Sequence, residues 1–178
     1  AFRHAQAARL LRHLESEFDV RTEESRYAGH TTDICRESLA NFEGIVLTAG
    51  GDGTFHEAVN AWADLGFPEG SRFAPLPLGT GNDFLYSVDS RLRETSTFLT
   101  HPLTREARAD LGKVTFQTPD GPRSRFFCVG ATAGFSALVT YRRSLLAPKI
   151  PGTLSYLLAL FISLSSWKNT TCRLESPG

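Results

Sequence analysis

The run GIVLTAGGDGTFHEAVNAWADL, from Gly44 to Leu65, decides the fold. Gly44 to Thr48 form a short, apolar, β-branched stretch, the composition of a buried strand. Phe55 to Leu65 put Phe55, Ala58, Val59 and Trp62 at i, i+3, i+4 and i+7, one face of a helix. Between strand and helix stand Gly50-Gly51-Asp52-Gly53-Thr54. Residues without a Cβ allow a tight turn and let a ligand approach the backbone. The free N–H groups of the helix that follows, with its dipole, favour an anion there. Thr54 can cap that helix or bond a phosphate oxygen. A phosphate would repel Asp52, so this carboxylate needs a reason, and a magnesium ion held directly or through water supplies one. Gly-Asp-Gly alone is an ordinary turn. Its place between a strand and an amphipathic helix points to a nucleotide phosphate.

The arrangement recurs downstream. Arg72 to Leu78, RFAPLPL, is strand-like but carries two prolines, and it feeds the second glycine loop, Gly79-Thr80-Gly81-Asn82-Asp83. Thr80 is a hydroxyl between two glycines, suited to a phosphate or ribose, and Asn82 and Asp83 stand where a helix would begin. Two such loops predict one shared nucleotide site. Upstream, Phe2, Ala5, Leu10, Leu11, Leu14 and Phe18 have mostly helical spacing. Asp19 to Thr22 suit a short strand, and Thr31-Thr32-Asp33 offer N-caps for a helix to about Asn41. Alternating strand, glycine loop and helix is the pattern of an open α/β sheet that binds ligands beyond its strands' carboxyl ends.

From Ala107 the texture changes. ARADLGKVTFQ and RSRFFCVGATAGF flank TPDGP and read as a β-hairpin turning at Asp120-Gly121. The division expected is an α/β domain over 1–105 and the beginning of a β-rich domain over 106–178. Gly152 to Trp167 carry no charge. That run is shorter than the roughly 20 apolar residues of a membrane span, so a buried or interfacial helix is expected.

The 178 residues are 41% hydrophobic and 21% charged, a globular composition. Lys plus Arg and Asp plus Glu each number 19, so neutrality gives no electrostatic reason to expect a nucleic acid partner. Cys35, Cys128 and Cys172 are far apart and odd in number, which indicates neither a disulfide framework nor a zinc site. Reduced thiols in a cytoplasmic protein are the expectation. The chain has no methionine and stops at CRLESPG, so both ends read as cuts and the isolated chain is expected to be marginally stable.

GGDGTFHEAVN (50–60) followed by PLGTGNDF (77–84) resembles the catalytic domain of the diacylglycerol kinase superfamily, which includes bacterial lipid kinases and sphingosine kinases. The likeness continues upstream through SRYAGHTTDICRES (25–38) and downstream through ARADLG (107–112), covering about residues 20 to 136. NAD kinases and phosphofructokinases carry similar GGDGT runs; HEAVN and GTGND favour the lipid kinases. His56 resembles the sphingosine kinase form, where many bacterial members have Asn.

The resemblance implies an open-sheet nucleotide-binding domain of the NAD kinase and phosphofructokinase kind, followed by a β-sandwich domain, with ATP in the cleft. Gly50, Gly51, Asp52, Gly53, Thr54, Phe55, His56 and Glu57 would then line the ATP phosphates. Ser25 stands where the family often has a nucleotide-contacting threonine, and Gly79, Thr80 and Gly81 would form the other side. Asp52, Asp83 and Asp110 match aspartates that join a magnesium and water network; on its own, Asp110 reads as an ordinary strand-edge charge. Asp52 is also a candidate to accept the proton of the attacking hydroxyl. Cys128 stands where Asn is usual, and Ser136 where Asp is usual.

The activity implied is an ATP-dependent lipid kinase acting on diacylglycerol or a sphingoid base, cytoplasmic and peripheral to the membrane, with a homodimer compatible with the reading. The alternatives are a kinase of a soluble substrate such as NAD, and a non-catalytic nucleotide-binding module.

Overall fold

The computed structural model describes residues 2–79, 81–89, 106–146, 150, 153–169 and 171. They fall into two compact units, Ala1–Gly130 and Ala131–Gly178. The first contains α1 (Phe2–Glu17), α2 (His30–Leu39), β1 (Gly44–Gly50), α3 (Asp52–Asp64), β2 (Ser71–Pro77), α4 (Asp83–Val88), β3 (Gly112–Thr118) and β4 (Gly121–Phe127).

β1 and β2 run parallel, in register from Gly44 opposite Ser71 to Gly50 opposite Pro77, with α3 as the crossover. Strand alternation then sorts the core into two layers. Leu47 packs with buried Leu10, Leu14, Leu76 and Leu85, which draws α1 and α4 to one face. Val46 and Phe73 pack with buried Cys35, Leu39, Ala58 and Ala61, which draws α2 and α3 to the other. The mixed α/β architecture is the one expected.

Several local expectations are corrected. β1 is only partly buried: Ile45 is 44% exposed and Thr48 alone is fully buried. Among the described residues β1 pairs on one side only, so the sheet does not enclose it. β2 likewise has one partner, the position in which a sheet tolerates Pro75 and Pro77. Asp19 to Thr22 form no strand; Val20 instead tucks against the Leu10 and Leu14 cluster. α3 begins at Asp52, three residues before the apolar periodicity, because the Phe55 N–H bonds the Gly51 carbonyl at 3.2 Å. Thr54 therefore lies inside the first turn, and Gly51 is the N-cap.

The expected hairpin forms, from Gly112 opposite Phe127 to Thr118 opposite Gly121, and belongs to the first unit. Its turn is Pro119-Asp120 rather than Asp120-Gly121: proline's fixed φ suits the first corner, and Gly121 leaves the turn at φ 109. β4 ends at Phe127, and the segment read as more strand leads into a helix at Phe135.

The described elements of the second unit are α5 (Phe135–Leu146) and α6 (Thr153–Ser166). Arg142 of α5 donates to the Ile162 carbonyl and to Ser166 Oγ, both at 2.6 Å, at the C-terminal end of α6 where a cation is favoured. α6 buries Ser155, Ala159 and Ser163 and exposes Leu154, Tyr156, Leu157, Phe161, Ile162 and Leu164. Small side chains at i, i+4 and i+8 allow close approach of a neighbouring helix, so the larger residues face outward. Among the described residues no helix is long and apolar enough to cross a membrane.

Candidate active site

Because β1 and β2 end side by side, the two glycine loops leave the sheet together. They meet through their backbones: a Cβ on Gly79 would overlap the Cα of Gly51. Gly50 is required for a different reason, since a Cβ there would collide with the Thr54 side chain folded over it. Gly53 differs from both. A Cβ on it would meet nothing within 4 Å and its φ is ordinary, so packing does not demand glycine; the bare backbone faces open space.

Asn82 shapes the second loop. It sits at φ 55, a left-handed conformation that asparagine tolerates. Its Oδ1 accepts the Gly79 N–H at 3.0 Å, while its Nδ2 donates to the Gly79 carbonyl at 3.4 Å. The side chain closes the loop on itself. Thr80 lies outside the described residues.

Asp52 opens α3, where the helix dipole favours a carboxylate. Its Oδ1 accepts the Phe84 N–H at 3.1 Å, tying the first loop to α4. Its Oδ2 and that of Asp83 each lie 3.1 Å from the point a Cβ on Gly81 would occupy. Two carboxylates thus converge on one glycine, and among the described residues neither has a cationic partner. Magnesium is commonly held by one or two carboxylates, with waters and substrate phosphates completing its shell, and this pair fits such an ion. Among the described residues no cluster of three or more His, Cys, Asp or Glu could hold a metal, and Asp110 is exposed on the approach to β3.

Beside these loops is a cleft of about 260 Å³ lined by Asp52, Gly53, Phe55, His56, Phe84 and Phe127 to Gly130. Phe55 is buried, with its ring 4.6 Å from that of Phe84, and forms the floor. Burial, with the positive charge of Arg125, lowers the His56 pKa below its usual value, so the ring is neutral at pH 7. Burial, with the Asp52 carboxylate, pushes Cys128 up to about 11. Cys35 is likewise raised to about 11 by burial and by Glu57. Both remain protonated thiols at neutral pH.

Glu57 spends a carboxylate oxygen on the Gly29 N–H at 3.0 Å, fastening the loop that carries Ser25 to α3. That loop closes on itself where the Arg26 N–H meets His30 Nδ1 at 3.0 Å and Tyr27 stacks on His30 at 4.5 Å. Ser25 is exposed beside it. Asn60, which sequence reasoning left without a role, is buried and bonded to the backbone of β4. Its one sequence signal was a polar residue next to the helix's apolar stripe.

A family model for the diacylglycerol kinase catalytic domain matches residues 2–114. The chain belongs to this family. A protein of Serratia proteamaculans named probable lipid kinase YegS-like is 27% identical over 158 residues, 89% of this chain and 48% of its own length. A diacylglycerol kinase of Staphylococcus saprophyticus is 28% identical over 148 residues, 82% of this chain and 44% of that protein. A probable lipid kinase YegS-like of Pseudomonas aeruginosa is 33% identical over 150 residues, 84% of this chain and 46% of that protein. The chain spans about half the length of these relatives. No solved structure matches it.

Proposed function

We propose that the protein is an ATP-dependent lipid kinase that transfers the γ-phosphate of ATP to the hydroxyl of diacylglycerol or a related lipid, a sphingoid base included. The observation that carries this reading is Asp52: one oxygen is fixed by the Phe84 N–H, and the other converges with Asp83 on Gly81, next to the open backbone of Gly53. Phosphoryl transfer asks for positioning and charge neutralisation more than for covalent chemistry. The first turn of α3 supplies N–H donors to the phosphates, and the bare Gly53 leaves room for them. Asp52 and Asp83 would hold magnesium, which when bound neutralises phosphate charge. Asp52 would also accept the proton of an attacking hydroxyl.

Support for a lipid acceptor comes from the family and from the relatives' names. We further infer an open sheet of the NAD kinase and phosphofructokinase kind over 1–105, a β-sandwich domain beginning near residue 106, and work at a membrane surface.

The test is labelled phosphate transfer from Mg-ATP by the full-length protein, with diacylglycerol micelles, sphingosine micelles and NAD in parallel. Label in one lipid, lost in Asp52→Ala, supports the reading and names the acceptor. Label in NAD alone, or ATP binding with no product, overturns it.

A further inference from the structure

Asn60 lies two turns beyond Asp52 on α3 and is 4% exposed. Its side-chain amide pairs with both the main-chain N–H and the carbonyl of Phe126 in β4. Nδ2 donates to the Phe126 carbonyl at 3.0 Å, and the Phe126 N–H donates to Oδ1 at 3.0 Å. Nδ2 also bonds the His56 carbonyl at 2.9 Å, so both ends of the amide are engaged. An asparagine amide carries a donor and an acceptor in the arrangement of a peptide, so Asn60 stands in for a neighbouring strand. A second contact reinforces the first: the Phe67 ring, just beyond α3, packs edge-on against Phe126 at 5.2 Å and against Trp62 at 4.9 Å. Phe67 holds φ 58 there, an uncommon backbone conformation for a bulky residue.

The residues after Phe126 are the cleft wall, Phe127 to Gly130, facing Asp52 and His56. The strand before it is exposed from Pro122 to Arg125. Asn60 is thus a joint between the helix that begins at Asp52 and the wall across from it.

We propose that Asn60 is a positioning residue for the transfer step, setting the width of the cleft between the start of α3 and Phe127–Gly130. The inference rests on the phosphotransfer reading. It predicts that loosening the joint leaves the phosphate loops intact while displacing the wall against which the acceptor must align.

The test compares Asn60→Ala and Asn60→Asp with the native full-length protein. In Asn60→Ala, protection of the Phe126 amide from hydrogen exchange should fall about tenfold, the scale of two lost hydrogen bonds. With the lipid acceptor, kcat should fall about tenfold, and the Kd for Mg-ATP should move less than about threefold. Asn60→Asp keeps the acceptor but sets a carboxylate oxygen against the Phe126 carbonyl. Protection there should be low at neutral pH and recover as the carboxyl protonates, a readout that survives if the alanine variant does not fold. Unchanged Phe126 protection in both variants overturns the inference, as does a proportional loss of kcat and Mg-ATP affinity. A native protein that transfers no phosphate to any acceptor overturns the lipid kinase reading and the kinetic part of the inference. Phe126 exchange would then decide on its own whether Asn60 holds the wall.

Discussion

Gly51 and Gly79 stand backbone against backbone: a Cβ on Gly51 would lie 3.2 Å from the Cα of Gly79, and one on Gly79 would overlap the Cα of Gly51. The two loops are therefore a single surface. Packing requires glycine at Gly50 and Gly79, whereas a Cβ on Gly53 would meet nothing within 4 Å.

That division is measurable. Gly79→Ala should destabilise the protein by about 1–3 kcal/mol, because backbone cannot move aside as a side-chain end can. Gly53→Ala, inside the first turn of a helix, should leave the melting temperature unchanged or slightly higher, since alanine gains about 0.5–1 kcal/mol over glycine there. It should nonetheless weaken Mg-ATP binding about tenfold by placing a methyl where a phosphate approaches. Calorimetric melting and binding titrations check both. Undiminished ATP affinity in Gly53→Ala would remove the phosphate from this loop.

Asp52→Asn separates charge from shape. The amide oxygen still accepts the Phe84 N–H, so stability should fall by no more than the roughly 0.3–1 kcal/mol of the lost helix-dipole interaction, while the charge facing Gly81 and Asp83 is gone. Phosphate transfer should fall by about 100-fold or more. Steady-state kinetics decide it, and near-native kcat would take Asp52 out of the chemistry.

His56 gives a pH signature. Its pKa is lowered in the fold, by burial first and then by Arg125. The unfolded chain therefore binds a proton before the native state does. The stability that His56 contributes is present above the ordinary histidine pKa, near 6.5, and is lost as pH falls through the lower folded value. Denaturant melts from pH 7.5 to 5 should show this slope, and His56→Gln should flatten it. Arg125→Gln should raise the His56 pKa in an NMR titration; no movement would mean that Arg125 does not contribute to the shift.

Cys128 reports on Asp52. With a pKa of about 11, it should react slowly with iodoacetamide at pH 7.5. Asp52→Asn removes the neighbouring charge and should speed alkylation, as mass spectrometry of the Cys128 peptide would show. An unchanged rate would mean that burial accounts for the whole shift.

The strand, glycine loop and helix alternation was legible in the chain because each part has a local cause. β-branched residues favour strands, a missing Cβ frees the backbone, and an apolar period marks a buried helix face. The same residues carried the family and singled out Asp52 and Asp83. The start of α3 was misplaced because Asp52, Gly53 and Thr54 bury no apolar stripe; hydrogen bonding, which periodicity does not record, makes them helical. α5 went unread because its residues adjoin a strand-like run and only Val139 is fully buried.

Composition and spacing were enough to determine the α/β class and the two glycine loops. Tertiary structure alone decided how those parts are held. Glu57 bonds Gly29, 28 residues away, and Asn60 bonds Phe126, 66 residues away. It also decided that α6 buries Ser155, Ala159 and Ser163 while Leu154, Tyr156, Leu157, Phe161, Ile162 and Leu164 are exposed. The physical reason is that a polar side chain shows its capacity for hydrogen bonds in the sequence but not its partner. The partner is set by which distant backbone the fold brings within reach.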